Sequence, residues 1–185
     1  MKGGKLMYNI GYLILSFLYY FLFFIIPIYC RLKFKDKVSP TSFLKLSNSP
    51  AKGVLIGLLL SSIYILLLLI KNLITGWKTP NFNIGVLWIS FLFVGILEEI
   101  PFRGFLLQKL KSKTGFFIAN LITSFLFVIM HYPLWISNNI NLIHSSISIY
   151  IVSLLYGYIF NEFDSLWITI VCHSFFNLTT WLGFR

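Results

Sequence analysis

The chain has 185 residues, of which 58% are hydrophobic and 11% charged. A water-soluble domain carries roughly 25% charged residues, so a soluble enzyme, a disordered tail and a nucleic-acid binder with a polar exterior are excluded. The net charge of +10 then reads as loop charge that sets topology and meets anionic lipid head groups, not nucleic acid. What remains is an all-α, polytopic membrane helix bundle. At ~20 residues per span, the length allows about six transmembrane helices in a single domain, 1–185.

The first apolar segment runs from Asn9 to Cys30 without a charge. It is no signal peptide, since its end at Ile28-Tyr29-Cys30 lacks a small-residue cleavage site. A basic loop follows, with Arg31, Lys33, Lys35, Lys37, Lys45 and Lys52 against the single Asp36, and with Pro40 and Pro50 as turn formers. Segment two is Gly53 to Ile70, closed by Lys71, Gly76, Lys78 and Pro80, with Trp77 as an interface anchor. Segment three begins near Phe82, meets Glu98, Glu99 and Arg103, and continues to about Leu110 with a kink at Pro101. Segment four is Gly115 to Tyr132, stopping at Pro133, and the stretch from Trp135 to Asn141 reads as a loop. Segment five is Leu142 to Phe160, followed by a turn from Asn161 to Ser165, and segment six is Leu166 to Gly183. Six spans place the loops after segments one, three and five on one side. That side holds nine Lys and Arg, against five on the other. By the positive-inside rule the nine are cytoplasmic.

Chemistry must sit where charge enters the bilayer, because a buried ionisable group there is costly and functional by default. Of the five acids, only Glu98 and Glu99 lie within a span. Arg103 follows Glu99 by four residues and shares its helical face. Glu99 and Arg103 therefore neutralise each other, which leaves Glu98, about 100° round the helix, facing the interior and able to take a proton as general base. His131 ends segment four, one turn after Phe127. His173 and Asn177 form another i,i+4 pair, able to donate two hydrogen bonds to one point. His144 has no partner at helical spacing, and Cys30 and Cys172 match no metal or redox spacing. Counting ~1.5 Å per residue from the basic side, Glu98 lies about 18 Å deep, His131 about 24 Å, His173 about 10 Å and Asn177 about 16 Å. Their meeting requires tilt, the Pro101 kink or shifted helix ends.

These residues carry a resemblance. Glu98-Glu99-Ile100-Pro101-Phe102-Arg103 matches EExxxR, Phe127 to His131 matches FxxxH, and His173 to Asn177 matches HxxxN. In that order on a polytopic background, over roughly residues 82–183, they resemble the CAAX protease and bacteriocin-processing family of intramembrane endopeptidases, also called the Abi family. The resemblance implies a peptidase whose cavity lies between the motif helices. Glu98 would activate water with His131 helping to hold it, His173 and Asn177 would stabilise the oxyanion, and Glu99 with Arg103 would support the site. It implies a bacterial plasma-membrane protein acting on a membrane-associated peptide or protein, such as a bacteriocin or signalling-peptide precursor. Pro101 stands where an ordinary apolar residue is more usual, and larger members have about eight spans.

Two cofactor readings stay open. Glu98, His131 and His173 supply the His₂Glu set of a catalytic zinc or other divalent metal, but no HExxH pairs two ligands with a separate base. Without a metal, Glu98 is free to be the base itself. Two other functions use the same residues: a non-catalytic bacteriocin self-immunity protein on the same fold, and a proton or ion carrier. The acids' confinement to one segment disfavours the carrier.

Overall fold

A computed structural model of the chain describes residues 10–85 and 87–184. Among them there are seven helices and no strand. They are α1 (residues 10–35), the short α2 (Pro40–Phe43), α3 (Pro50–Thr75), α4 (residues 87–114), α5 (Phe116–Ser137), α6 (Leu142–Phe163) and α7 (Leu166–Trp181). Four stretches, Ile14–Lys35, Pro50–Thr75, Phe116–Ser137 and Leu142–Phe163, are long and apolar enough to cross a membrane. The chain is thus a multi-pass membrane helix bundle, to which α4 and the 16-residue α7 add the remaining long helices.

The helix boundaries differ from the sequence expectations where basic residues or a proline lie at a helix end. The first helix does not stop at Cys30 but carries Arg31, Lys33 and Lys35 on a final π-wound turn, Arg31–Lys35. Long basic side chains can snorkel from a helix end, so charge did not break it. Helix α5 does not stop at Tyr132; it runs through Pro133 to Ser137 and buries Trp135. Helices α3 and α6 each gain residues at the ends read as loop. At Pro101 the chain is π-wound over Ile100–Leu107, a wider winding that absorbs the hydrogen bond proline cannot make. Asn9, Lys2, Lys5 and Arg185, which entered the span and charge counts, lie outside the described residues.

The loops after segments one, three and five do meet at one end. Lys109 donates to Asp36 at 2.8 Å, Lys45 to Asp164 at 2.9 Å, and Lys111 to Asn161 at 2.6 Å. The hydrogen bond from Lys109 holds the Asp36 carboxyl below the usual carboxylate range. Its contribution is present above the ordinary carboxylate range and is lost as pH falls through that depressed value.

Residues 36–49 form a strap over this end. Gln108 Nε2 donates to the Phe43 carbonyl at 2.6 Å, and Trp167 Nε1 to the Leu46 carbonyl at 2.8 Å. Leu166 N–H reaches the Lys45 carbonyl at 3.2 Å. The buried Leu44 joins Ile28, Leu32, Ile100, Leu107, Ala119, Phe160, Leu166 and Ile170 in the core beneath. Because the strap covers its start, α7 begins inside the bundle rather than at its rim.

Helix α7 packs against α3, α4 and α6, and close approach depends on small residues. On α3 the buried positions are Gly53, Gly57 and Ser61, one small stripe at i,i+4 spacing facing α7. On α4 the equivalent is Gly95: a Cβ there would meet the Ser174 hydroxyl and stand 2.7 Å from the Ile170 carbonyl. Gly95→Ala is therefore expected to wedge α4 from α7, costing ~1–3 kcal/mol. A lowered thermal midpoint in detergent is the measurement, and an unchanged midpoint would contradict this packing.

Candidate active site

Three helices deliver the site. Glu98, Glu99 and Arg103 come from α4 where its α-winding passes into the π-wound stretch, His131 from α5 and His173 from α7. Glu99 and Arg103, four residues apart, both point into the protein with almost no exposure, 0% and 1%.

Their ion pair is 2.9 Å, from Arg103 Nη1 to Glu99 Oε1. The other end of the guanidinium donates to Ser153 on α6, at 2.7 Å to its hydroxyl and 3.1 Å to its carbonyl. Aromatic rings close the remaining faces, Phe127 at 4.6 Å and Tyr156 at 5.7 Å from the guanidinium carbon. A charge taken out of water needs this complete a set of partners. Glu99 Oε1 also faces His173 Nδ1 at 2.7 Å. A carboxylate only accepts, so His173 donates from Nδ1 and its Nε2 is directed elsewhere.

That direction is towards Glu98. Glu98 Oε2 lies 3.7 Å from His173 Nε2 and 3.8 Å from His131 Nε2. The same oxygen is buried and has no hydrogen-bond partner among the described residues. His131 is oriented from behind, its Nδ1 donating to the Phe127 carbonyl at 2.8 Å. Its ring also packs against Phe127 and Trp135, with centroids at 4.7 and 5.4 Å. Each imidazole thus spends Nδ1 on a fixed acceptor and turns Nε2 to one carboxylate oxygen. The separations are too long for direct hydrogen bonds.

Five of the six residues singled out in the sequence come together: Glu98, Glu99, Arg103, His131 and His173. Asn177 is half-buried one turn beyond His173, and its side chain makes no hydrogen bond among the described residues. His144 is exposed at the start of α6, apart from this cluster. The depth scatter of roughly 14 Å counted from helix ends is removed because α7 starts beneath the strap. Sequence reasoning missed Ser153 and Tyr156. Their only signal was two polar groups three residues apart on a mainly apolar helix, which is ordinary membrane composition.

The donor types around Glu98 are those of a zinc site, but the spacing is not. Bonds of about 2.0–2.1 Å in a tetrahedral shell set ligand atoms about 3.3 Å apart, less than the 3.7 and 3.8 Å found here. Among the described residues no group of three His, Cys, Asp or Glu is arranged to hold a metal ion.

A family model, Type II CAAX prenyl endopeptidase Rce1-like, matches residues 79–179, more than half of the chain and all three motifs. The chain belongs to this Rce1-like family. No curated protein and no solved structure matches it.

Proposed function

We propose that this member of the Rce1-like family is an intramembrane peptidase that hydrolyses a peptide bond in a membrane-associated peptide or protein, with Glu98 activating water. The single observation carrying the reading is the buried, unpartnered Glu98 oxygen set between two imidazole nitrogens at 3.7 and 3.8 Å. A water there can bridge groups that are too far apart to bond one another.

In this reading His173 keeps Nδ1–H on Glu99 and acts with a second proton on Nε2, which donates towards the cavity. His131, neutral with its proton on Nδ1, presents a lone pair at Nε2 that accepts from the water.

In the reaction Glu98 takes one proton from water as the oxygen forms a bond to the scissile carbonyl carbon. The carbonyl oxygen becomes an anion, stabilised by His173 Nε2–H and the Asn177 amide. Collapse breaks the C–N bond, and Glu98 returns its proton to the leaving amine. No step requires a metal, and the wide spacing around Glu98 favours this version. The bacterial plasma membrane is the proposed location, with a peptide precursor as substrate.

His173→Ala and Asn177→Ala are each expected to slow cleavage ~10²–10³-fold, and together by less than the product, because both donors serve one oxyanion. Cleavage of a reconstituted, lipidated peptide in proteoliposomes is the assay. Wild-type rates in both variants would overturn the hydrolytic reading.

A further inference from the structure

Helix α1 packs against α4 and turns a single narrow stripe towards the bundle. Ile14, Leu15, Leu18, Tyr19, Leu22 and Phe23 are all exposed. Phe17, Tyr20 and Phe24 are half-buried, and Ile28 and Leu32 are buried, so the inward residues recur every three or four positions. Among the described residues of this stripe, Tyr20 carries the hydroxyl.

The register between α1 and α4 sets its height. The two helices run in the same direction, since Phe17 meets Phe93 edge-on at 5.1 Å and, much further along, Asp36 meets Lys109 at 2.8 Å. The stretch Phe21–Ile25 packs on Ile100–Leu107. Tyr20 immediately precedes the first stretch, and Glu98 and Glu99 immediately precede the second. Tyr20 therefore stands within about one helical turn of the depth of the two glutamates, and the stretches that carry them, Ile10–Tyr20 and Leu87–Glu99, also touch.

Both groups are unsatisfied. The Tyr20 hydroxyl makes no hydrogen bond among the described residues; its ring only packs on Tyr19 and Phe24. Glu98 Oε2 is buried without a partner. A buried carboxylate oxygen left unpaired is costly. The two imidazole nitrogens nearest to it stand 3.7 and 3.8 Å away, too far for direct hydrogen bonds, so a further donor near the same depth would complete the set.

We propose that Tyr20 is a positioning residue of the Glu98 site, its hydroxyl donating to the Glu98 carboxylate through one water and fixing its orientation towards the cavity. The assignment rests on the hydrolytic reading above for its consequence, though not for the contact itself. Helix α1 thereby becomes part of the site rather than a lipid-facing extra. None of the three motifs includes it.

Two measurements test this. The first uses 3-fluorotyrosine at position 20, whose fluorine resonance reports the hydroxyl's hydrogen bond. It is expected to shift on Glu98→Gln and to stay in place on Glu162→Gln, which alters an exposed acid outside the site. No shift on Glu98→Gln overturns the contact, whether or not a substrate is in hand. The second is cleavage of a farnesylated CAAX-terminated peptide in proteoliposomes. Tyr20→Phe is expected to lower kcat about tenfold, the scale of one hydrogen bond to a charged group, with KM within twofold and the thermal midpoint unchanged. A merely structural tyrosine would move the midpoint, or KM and kcat together. If Glu98→Gln is inactive while Tyr20→Phe cleaves at the wild-type rate, the positioning role alone fails. If Glu98→Gln cleaves normally, the hydrolytic reading fails instead.

Discussion

Replacing Glu98 by Gln is expected to abolish peptide cleavage, by at least ~10²-fold, while the bundle stays folded. Gln keeps the size and reach of Glu but cannot take a proton from water at neutral pH. The fold should tolerate it because Glu98 Oε2 has no hydrogen bond to lose among the described residues. The side chain also retains a little exposure, 13%, unlike the sealed Glu99. The same change made at Glu99 would unpair Arg103 and should damage the fold. The two adjacent glutamates are therefore separable by experiment: Glu98→Gln with a wild-type thermal midpoint and no cleavage, Glu99→Gln with a lowered midpoint. A pure binding protein, such as a bacteriocin immunity protein, would keep its protective effect in Glu98→Gln. Survival of cleavage or of protection in that variant, at normal expression, would remove the general base from the mechanism.

The division between Glu98 and Glu99 could be read from spacing alone, because i,i+4 geometry pairs Glu99 with Arg103 and turns Glu98 away. The helical class followed as directly from composition and apolar runs, whereas of the six expected spans four stretches are long and apolar enough to cross a membrane. The ends of the helices were legible only in part. Arg31, Lys33 and Lys35 read as loop because charge marks a bilayer edge, yet a helix can cross that edge and continue in water. Pro133 read as a stop, yet α5 passes it. Convergence of the three motifs could not be derived from counting residues, since the depth of His173 depends on the strap. That strap is held by Trp167 and Gln108 donating to loop carbonyls, long-range contacts with no local sequence signal. The contribution of Ser153 was hidden for the same reason: its partner is 50 positions away.

The largest structural effect is expected at Arg103. Its guanidinium makes bonds to Glu99 and to both the hydroxyl and the carbonyl of Ser153, and lies between Phe127 and Tyr156. Arg103→Ala leaves Glu99 as an uncompensated charge with 0% exposure, and removing one member of a buried pair costs about 3–5 kcal/mol. Because Glu99 also holds His173 at 2.7 Å, the loss reaches the reaction through that imidazole. Arg103→Ala should therefore lower folded yield in detergent and thermal midpoint as well as activity. Arg103→Lys is expected to recover only part, since an ammonium can meet Glu99 but cannot span the distance to Ser153 or stack on Phe127 as a planar guanidinium does. Ser153→Ala, which removes one neutral partner and leaves the ion pair, should cost less than either. This ranking separates a supporting role from direct contact with substrate. Wild-type yield and midpoint in Arg103→Ala, with cleavage alone abolished, would move Arg103 out of the scaffold and into the cavity as a substrate anchor.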